Sequence, residues 1–343
     1  MSKVYGIDLG TRALKIYKKN DGVIYDAKNI LAIKDNSTII AIGDEAFEMY
    51  GKAPSNIEVT YPVKYGVIAD IKNMQALLNL VFDEIGKTQG KLSGAEFIIT
   101  APTDITEVEK KAFVDLVANT NAKPKKVRIA ERPIADALGA GLNVCEASGV
   151  MVVDIGADTT EISVLSLGGI VLSRLIPIGG NKFDDDIINS VKKKFNLVIG
   201  NKTAEVIKIN LATAIAPEED KNPTIKVHGR DVVNGLPTEK EIDTAFVYES
   251  ISEHLRSIVD SVKIILEHTP PEIASDIIDS GIYVTGGSSQ IRNLDVLLGS
   301  ETELKINICN DSANTVALGL GKIIENPAYE SLAYVLKQAT YKD

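Results

Sequence analysis

Two short stretches of this chain carry the same pattern, and together they limit what it folds into. Val4-Tyr5-Gly6-Ile7-Asp8-Leu9-Gly10-Thr11 near the start is echoed by Met151-Val152-Val153-Asp154-Ile155-Gly156-Ala157-Asp158-Thr159-Thr160 in the middle. Each is an apolar, strand-like run that ends in Asp-x-Gly and is followed by hydroxyl side chains. Glycine after a strand gives the backbone freedom for a tight turn. Such a turn exposes main-chain N–H groups able to bind phosphate oxygens. A carboxylate at the strand end is suited to hold the water shell of a Mg²⁺ ion. Two copies point to two related halves facing one triphosphate. The competing reading is a pair of unrelated buried strands with Asp-Gly turns.

Length and charge narrow the setting. With 343 residues, 45% of them hydrophobic, the chain reads as globular and large enough for two domains. Its net charge of −10 disfavours a general nucleic-acid binder and purely electrostatic docking to an anionic membrane. Cys145 and Cys309 are isolated, without metal spacing or a disulfide framework. No signal peptide and no membrane-spanning apolar run is recognised, so a cytoplasmic location is expected.

Strand and helix patterns alternate, which favours α/β layers. Strands are expected at 3–9, 13–17, 23–33 and 38–42, followed by a short helix from Asp44 to Tyr50. Met74 to Ile85 has Leu77, Leu78, Val81, Phe82 and Ile85 at helical spacing. Glu96 to Ala101 reads as a buried strand, and Thr106 to Asn119 as a helix opened by a Thr106–Glu109 capping box. Val127 to Ala130 is a strand, and a helix starts near Pro133. The second half repeats the scheme with strands at 150–154, 161–166 and 170–178 and helices at Asp184–Phe195 and Ala204–Ala214. A polar stretch from Pro217 to Pro237 reads as a small β excursion, before helices at 247–266 and 272–278. The tail, Ser331 to Ala339, sets Leu332, Val335, Leu336 and Ala339 on one helical face.

A third glycine turn completes the set. The strand Gly281 to Thr285 runs into Gly286-Gly287-Ser288-Ser289, a turn that lets a flat ring approach the backbone without a Cβ in the way. Alone it is an ordinary loop signal. As the third strand–glycine turn, it has a natural role in receiving the base and ribose of a nucleotide.

These residues resemble the actin-like ATPases, and among them the bacterial rod-shape family of MreB. The likeness runs nearly end to end, through Tyr61–Asp70, Ala101–Glu109, Ile155–Gly169, Ile199–Glu205, Arg230-Asp231, Gly235-Leu236-Pro237 and Thr269–Glu272. The resemblance implies an α/β fold of two similar RNase H-like domains, each with a smaller subdomain, around a cleft for ATP or ADP with Mg²⁺. It also implies longitudinal assembly into filaments. The first half is expected at 1–140, with a C-terminal helix at 318–343 packing back on it. The second is expected at 141–317, with a subdomain at about 180–250.

By the same resemblance, Asp8, Gly10, Thr11, Arg12 and Ala13 occupy the first phosphate turn, and Asp154, Gly156, Ala157, Asp158 and Thr159 the second. Asp8 and Asp154 would hold the metal through water. Gly180 lies in a further glycine turn near the nucleotide. Glu205 and Lys208, on one helical face, match a pair that contacts adenosine, and Gly286, Gly287 and Ser288 match the adenine-side turn. A Glu–Lys pair three apart is otherwise an ordinary solvated face.

The departures from the family pattern are informative. After Asp8-Leu9-Gly10-Thr11 the family usually continues x-Asn-Thr, where this chain has Arg12, Ala13 and Leu14. Two glycines of the second turn are replaced by Ala157 and Asp158, and an inward carboxylate there would repel phosphate. The family's Glu-Glu-Pro is here Glu131-Arg132-Pro133. The second Glu of that motif positions the attacking water, and Arg132 stands in its place. Arginine stays protonated and cannot serve as a base, although it can stabilise charge on a γ-phosphate. Glu131 is adjacent, but neighbouring residues usually point differently. Thr159 still matches the second water-positioning residue. Slow or absent ATP hydrolysis is the expectation.

The leading function is therefore an ATP-binding, filament-forming protein of cell shape. A variant of it is a degenerate paralogue that co-assembles with active relatives and regulates them, and a small-molecule kinase on the same superfamily fold is a more distant alternative. Weak association with the inner face of the cell membrane is expected only through the apolar stripe of the tail. No nucleic-acid partner is expected.

Overall fold

The structure, a computed structural model, describes residues 3–218 and 222–336. Two compact units are present: Met1–Ala147 with Leu165–Leu175 and Ala313–Asp343, and Ser148–Val164 with Ile176–Ser312. Leu165–Leu175, which the sequence pattern places in the second half, groups with the first unit.

The first glycine turn joins β1 (Val4–Leu9) to β2 (Ala13–Lys18), antiparallel in a register that sets Asp8 opposite Lys15. The meander continues in β3 (Gly22–Lys28). The chain then leaves this sheet for β4 (Leu31–Lys34), β5 (Thr38–Ile42), α1 (Gly43–Met49) and β6 (Ile57–Thr60). Those strands form a small sheet of their own in the order β5-β4-β6. The single run expected over 23–33 is thus two strands in two sheets. The break falls at Asn29, whose N–H and side-chain amide turn back to the Arg12 and Gly10 carbonyls at 3.0 and 2.8 Å. Ile30 beyond it is buried in the core of the small sheet.

A short hairpin, β7 (Val63–Lys64) and β8 (Val67–Ile68), leads into α2 (Ile71–Gln89). The Asp70 carboxylate caps α2, accepting from the Asn73 N–H at 3.0 Å. The helix buries Met74, Leu77, Leu78, Val81, Phe82 and Ile85, the stripe that the periodicity predicts. Phe82 stacks on Phe97 and Phe97 on Tyr5, with centroids 5.2 and 5.3 Å apart. Next come β9 (Glu96–Ala101), α3 (Glu107–Ala118), β10 (Lys126–Glu131) and α4 (Arg132–Gly139).

The scheme then repeats with β11 (Val150–Ile155), β12 (Thr160–Ser166) and β13 (Gly169–Ile176). Helices α5 (Gly180–Phe195) and α6 (Asn201–Leu211) flank β14 (Leu197–Val198), and β15 (Thr224–Asp231) pairs with β16 (Pro237–Asp243). After α7 (Thr244–His268) and α8 (Pro271–Ser280) come β17 (Ile282–Thr285), α9 (Leu294–Thr302) and β18 (Ile306–Ile308). The described chain closes with α10 (Thr315–Glu325), a 3₁₀ turn at Pro327–Leu332, and β19 (Ala333–Tyr334).

Strand order makes the internal repeat explicit. One sheet runs β19-β10-β9-β1-β2-β3, the other β13-β12-β11-β17-β18. Without β19 and read in reverse, the first list is β3-β2-β1-β9-β10, the counterpart of the second strand by strand. Pairing is parallel between β1, β9 and β10, and likewise between β11, β17 and β18. The duplicated Asp-x-Gly sequence is therefore a duplicated fold element at the same topological position.

The tail differs from its expected helix. A helix over 318–343 is interrupted after Glu325, where Asn326 and Pro327 break the hydrogen-bond ladder. Leu332 is buried in the 3₁₀ turn, and β19 pairs antiparallel with β10, Ala333 opposite Ala130. The apolar spacing of the expected helix at Ser331–Ala339 is met over Ala333–Tyr334 by an edge strand, and no exposed stripe exists there for a membrane. Val335 is exposed, Leu336 packs on the core of the first unit, and Ala339 lies outside the described residues. Among the described residues no helix is long and apolar enough to cross a membrane.

The capping box of α3 is present. Thr106 Oγ1 accepts from the Glu109 N–H at 3.2 Å, and Glu109 accepts from the Thr106 N–H at 2.8 Å. Hydrogen bonds from the Thr106 hydroxyl and N–H hold the Glu109 carboxyl below the usual range. A carboxyl with a depressed folded pKa adds stability above its unfolded value, and loses it as pH falls through the folded one. Thr106→Ala is expected to cost about 1 kcal/mol at neutral pH. In chemical denaturation the deficit should shrink as the pH is lowered through the acid range below pH ~4.3.

Candidate functional site

The two Asp-x-Gly turns close in the same way. In the first, the Gly10 N–H donates to the Ala13 carbonyl at 3.0 Å; in the second, the Gly156 N–H donates to the Thr159 carbonyl at 2.9 Å. A Cβ on Gly10 would lie 2.9 Å from that acceptor, and one on Gly156 3.2 Å from its own. Both hairpins therefore need the glycine for close backbone approach.

Around the second turn, most of the residues expected there come together. Its carbonyls are held from behind by α5, with the Gly180 N–H on Gly156 O at 3.0 Å and the Asn181 N–H on Ala157 O at 2.7 Å. The Ser288 hydroxyl donates to Gly156 O at 2.9 Å. Lys208 reaches the same place, donating to Gly180 O at 2.7 Å and pairing with Asp184 at 2.8 Å. Gly286 has φ 81°, and a Cβ there would meet Asp154 Oδ1 at 2.3 Å. Only glycine allows the β17 turn to back onto the β11 strand end. Asp154, Gly156, Ala157, Asp158, Gly180, Lys208, Gly286 and Ser288 thus form one connected group. Glu205 lies one turn before Lys208 on α6, and Gly287 adjoins the group. Asp158 accepts from the Asn181 side-chain amide at 2.7 Å, which occupies the carboxylate that the sequence pattern sets against a phosphate.

The first turn is surrounded by charge. Arg132, only 7% exposed, opens α4 and donates to the Leu9 carbonyl at 3.3 Å. Lys15, 5% exposed, faces Asp8 across the hairpin and donates to the Ala313 carbonyl. The Thr100 hydroxyl lies 3.4 Å from Asp8 Oδ1. Burial raises the Asp8 pKa, with Arg132, Lys15 and Thr100 pulling against it and Asp26 adding to the rise. Arg12 turns elsewhere: its guanidinium donates to the Tyr61 hydroxyl at 2.9 Å and lies 4.6 Å from the centre of the Phe47 ring. Of Arg12 and Ala13, then, the turn uses the main chain, the carbonyls accepting from Asn29 and Gly10.

Glu131 is held away from its neighbour Arg132. It accepts from Lys110 at 3.0 Å and from the Tyr334 hydroxyl at 2.6 Å. Burial and the Glu131 carboxylate raise the Tyr334 phenol pKa far above its ordinary value. The adjacent carboxylate is thus a tether for β19. Lys15, Asn29, Thr100 and Asp184 escaped the sequence reading. The signal for Lys15 was in the hairpin itself, since closing Gly10 on Ala13 puts residues 8 and 15 opposite each other.

The donor set tests the expected Mg²⁺ ion unevenly. Asp154 is a half-buried strand-end carboxylate backed by a glycine, which suits a hydrated cation. Asp8 already faces two buried cations, and a divalent ion beside it would add to their like charge. Among the described residues, no cluster of His, Cys, Asp and Glu forms a direct metal site.

Comparison with known proteins gives a consistent answer. A family model described as MreB/Mbl protein matches residues 2–331. The cell shape-determining protein Mbl of Bacillus subtilis is 38% identical over 322 residues, covering 94% of this chain and 95% of that protein. The cell shape-determining protein MreB of Escherichia coli is 37% identical over 324 residues, covering 93% and 92%. Among solved structures, MreB5 of Spiroplasma citri bound to ADP superposes with a TM-score of 0.90 at 33% identity, covering 97% and 98%. The MamK double helical filament gives a TM-score of 0.77 at 21% identity, covering 94% and 99%, a likeness of fold alone.

Proposed function

The chain belongs to the MreB/Mbl family, and from that premise we propose an actin-like, filament-forming cell-shape protein that binds ATP and ADP but hydrolyses ATP slowly or not at all. Nucleotide binding is supported by the S. citri relative, described with ADP and with AMPPNP, and by the connected glycine turns of this chain. In this reading Gly10, Thr11, Gly156, Ala157 and Asp158 offer main-chain donors to phosphate. Gly180, Glu205, Gly286, Gly287 and Ser288 lie by the nucleoside. Lys208 shapes that side through Gly180 and Asp184. Any Mg²⁺ entering with the nucleotide is held through water on the Asp154 side.

Loss of hydrolysis rests on one observation. The side chain at the water-positioning place is the Arg132 guanidinium, a permanent cation bound to the Leu9 carbonyl. No carboxylate takes over, because Glu131 is committed to Lys110 and Tyr334. Thr159 is left as the residue that would touch an attacking water. Positioning and general-base assistance are together worth orders of magnitude in rate.

The same observation favours a second reading, in which the chain co-assembles with active paralogues and sets the lifetime of mixed filaments. Negative-stain microscopy and pelleting of the purified chain, alone and mixed with an active family member, test both. Filaments of the chain alone with ATP are the expected result. Assembly only in the mixture supports the paralogue reading, and no assembly in either contradicts both. The site of action in this reading is the cytoplasm, with the tail strand giving no support to attachment at the membrane face.

A further inference from the structure

The surroundings of Asp8 carry one step more, which rests on the nucleotide-binding reading above. Lys15 and Arg132 are both nearly buried, on separate elements of one unit, and both act on the same carboxylate. Asp26, next in the cross-strand row after Asp8 and Lys15, is exposed to solvent. The enclosed set is thus two cations to one carboxylate. Burying an uncompensated charge is costly, and buried charges are retained where a counter-ion completes them.

Each cation also keeps donors to spare. An ammonium has three N–H groups and a guanidinium five, and the carbonyl bonds to Ala313 and Leu9 each engage one cation. Both stand at a strand–glycine turn whose geometry matches the second turn, Gly10 on Ala13 as Gly156 on Thr159. The position suits an anion with several acceptor oxygens and does not suit a hydrated divalent cation.

We propose that Lys15 and Arg132 bind nucleotide phosphate at the first turn in place of a metal ion, so that nucleotide binding by this chain does not depend on divalent cations. Arg132 thereby changes role: the residue that removes water positioning also supplies charge that Mg²⁺ would otherwise bring. Asp8 is the internal counter-ion that holds the two cations in place before the phosphate arrives.

Calorimetric titration of the full chain with ATP, in magnesium chloride and in EDTA, tests this. The two dissociation constants are expected to agree within about tenfold. Binding that weakens by more than this in EDTA overturns the proposal and leaves the nucleotide reading intact. No binding in either buffer overturns both. Lys15→Met and Arg132→Met are each expected to weaken ATP binding in EDTA by about tenfold or more, the scale of one charge-assisted bond. Adenosine affinity should be unchanged in both variants, and loss of adenosine binding as well would mean a structural role only and count against the proposal. If Lys15→Met fails to fold, Lys15→Arg takes its place, with wild-type affinity in EDTA expected and a loss beyond about tenfold contradicting the proposal. The wild-type comparison needs no variant at all.

Discussion

Arg132→Glu is expected to release phosphate from ATP about 100-fold faster than the wild-type chain, the lower end of what a positioned general base contributes. The substitution restores a carboxylate where the family carries one, at the start of α4 beside the Leu9 carbonyl. A carboxylate accepts a hydrogen bond from water, which a guanidinium cannot. The gain is held to the lower end because the same change removes a cation from Asp8 and puts a second carboxylate there. Affinity for ATP should fall, and turnover should require Mg²⁺, which the wild-type binding does not. Arg132→Gln separates the two effects: it removes the cation without adding a base, so affinity drops and turnover stays low. Steady-state phosphate release at saturating ATP reads both variants. A wild-type rate equal to that of Arg132→Glu, with ATP shown to bind, would contradict the account of Arg132.

The largest expected effect on stability lies where α4 crosses α10. A Cβ on Gly139 would stand 1.8 Å from the Thr315 carbonyl oxygen, and one on Gly319 1.6 Å from that of Ala135. The obstructing atoms are backbone, which no rotamer change can move aside. Overpacking a core commonly costs 1–3 kcal/mol, and a main-chain clash on both helices belongs at or above the top of that range. Gly139→Ala and Gly319→Ala are each expected to destabilise the chain by about 3 kcal/mol or more. That lowers Tm by about 6–12 °C for a unit of this size. The consequence reaches the site, because α4 carries Arg132 and α10 packs against β1, which carries Asp8. Gly86→Ala, inside α2 with nothing nearer than Leu92 Cδ1 at 3.9 Å, is the matched control. It should stabilise by up to about 1 kcal/mol through helix propensity. Equal melting temperatures for all three variants would contradict the close crossing.

Much of the fold was legible because its signals are local. The β1 and β11 turns, the α2 stripe and the α3 capping box each read from a few consecutive residues, and each lies where its pattern puts it. The errors arose where a distant partner decides. The run 23–33 has unbroken strand character, but Asn29 is drawn back to the first turn by bonds to residues 10 and 12. The tail has helical spacing, but Ala333 finds an edge of β10 to pair with, and tertiary pairing overrides a short amphipathic pattern.

The site divides in the same way. The residue types at the turns were visible in the sequence, and so was the exchange of glutamate for Arg132. What surrounds Asp8 was not, since Lys15 alternates with Leu14 and Ile16 as a solvated strand residue would, and yet is buried. Nor did the sequence tell which way side chains turn. Asp158 goes to Asn181, Arg12 to Tyr61 and Phe47, and Glu131 to Lys110 and Tyr334. In all three, a charge adjacent to a glycine turn or to the water-positioning place is taken up by a local partner.

The central claim is a filament that holds its nucleotide without cutting it. It is tested most directly by polymerising the purified chain with ATP, pelleting the filaments after prolonged incubation, and identifying the nucleotide they contain. Intact ATP in the pellet, with no phosphate released, is the predicted result. ADP in the pellet with a matching amount of phosphate in solution would contradict it.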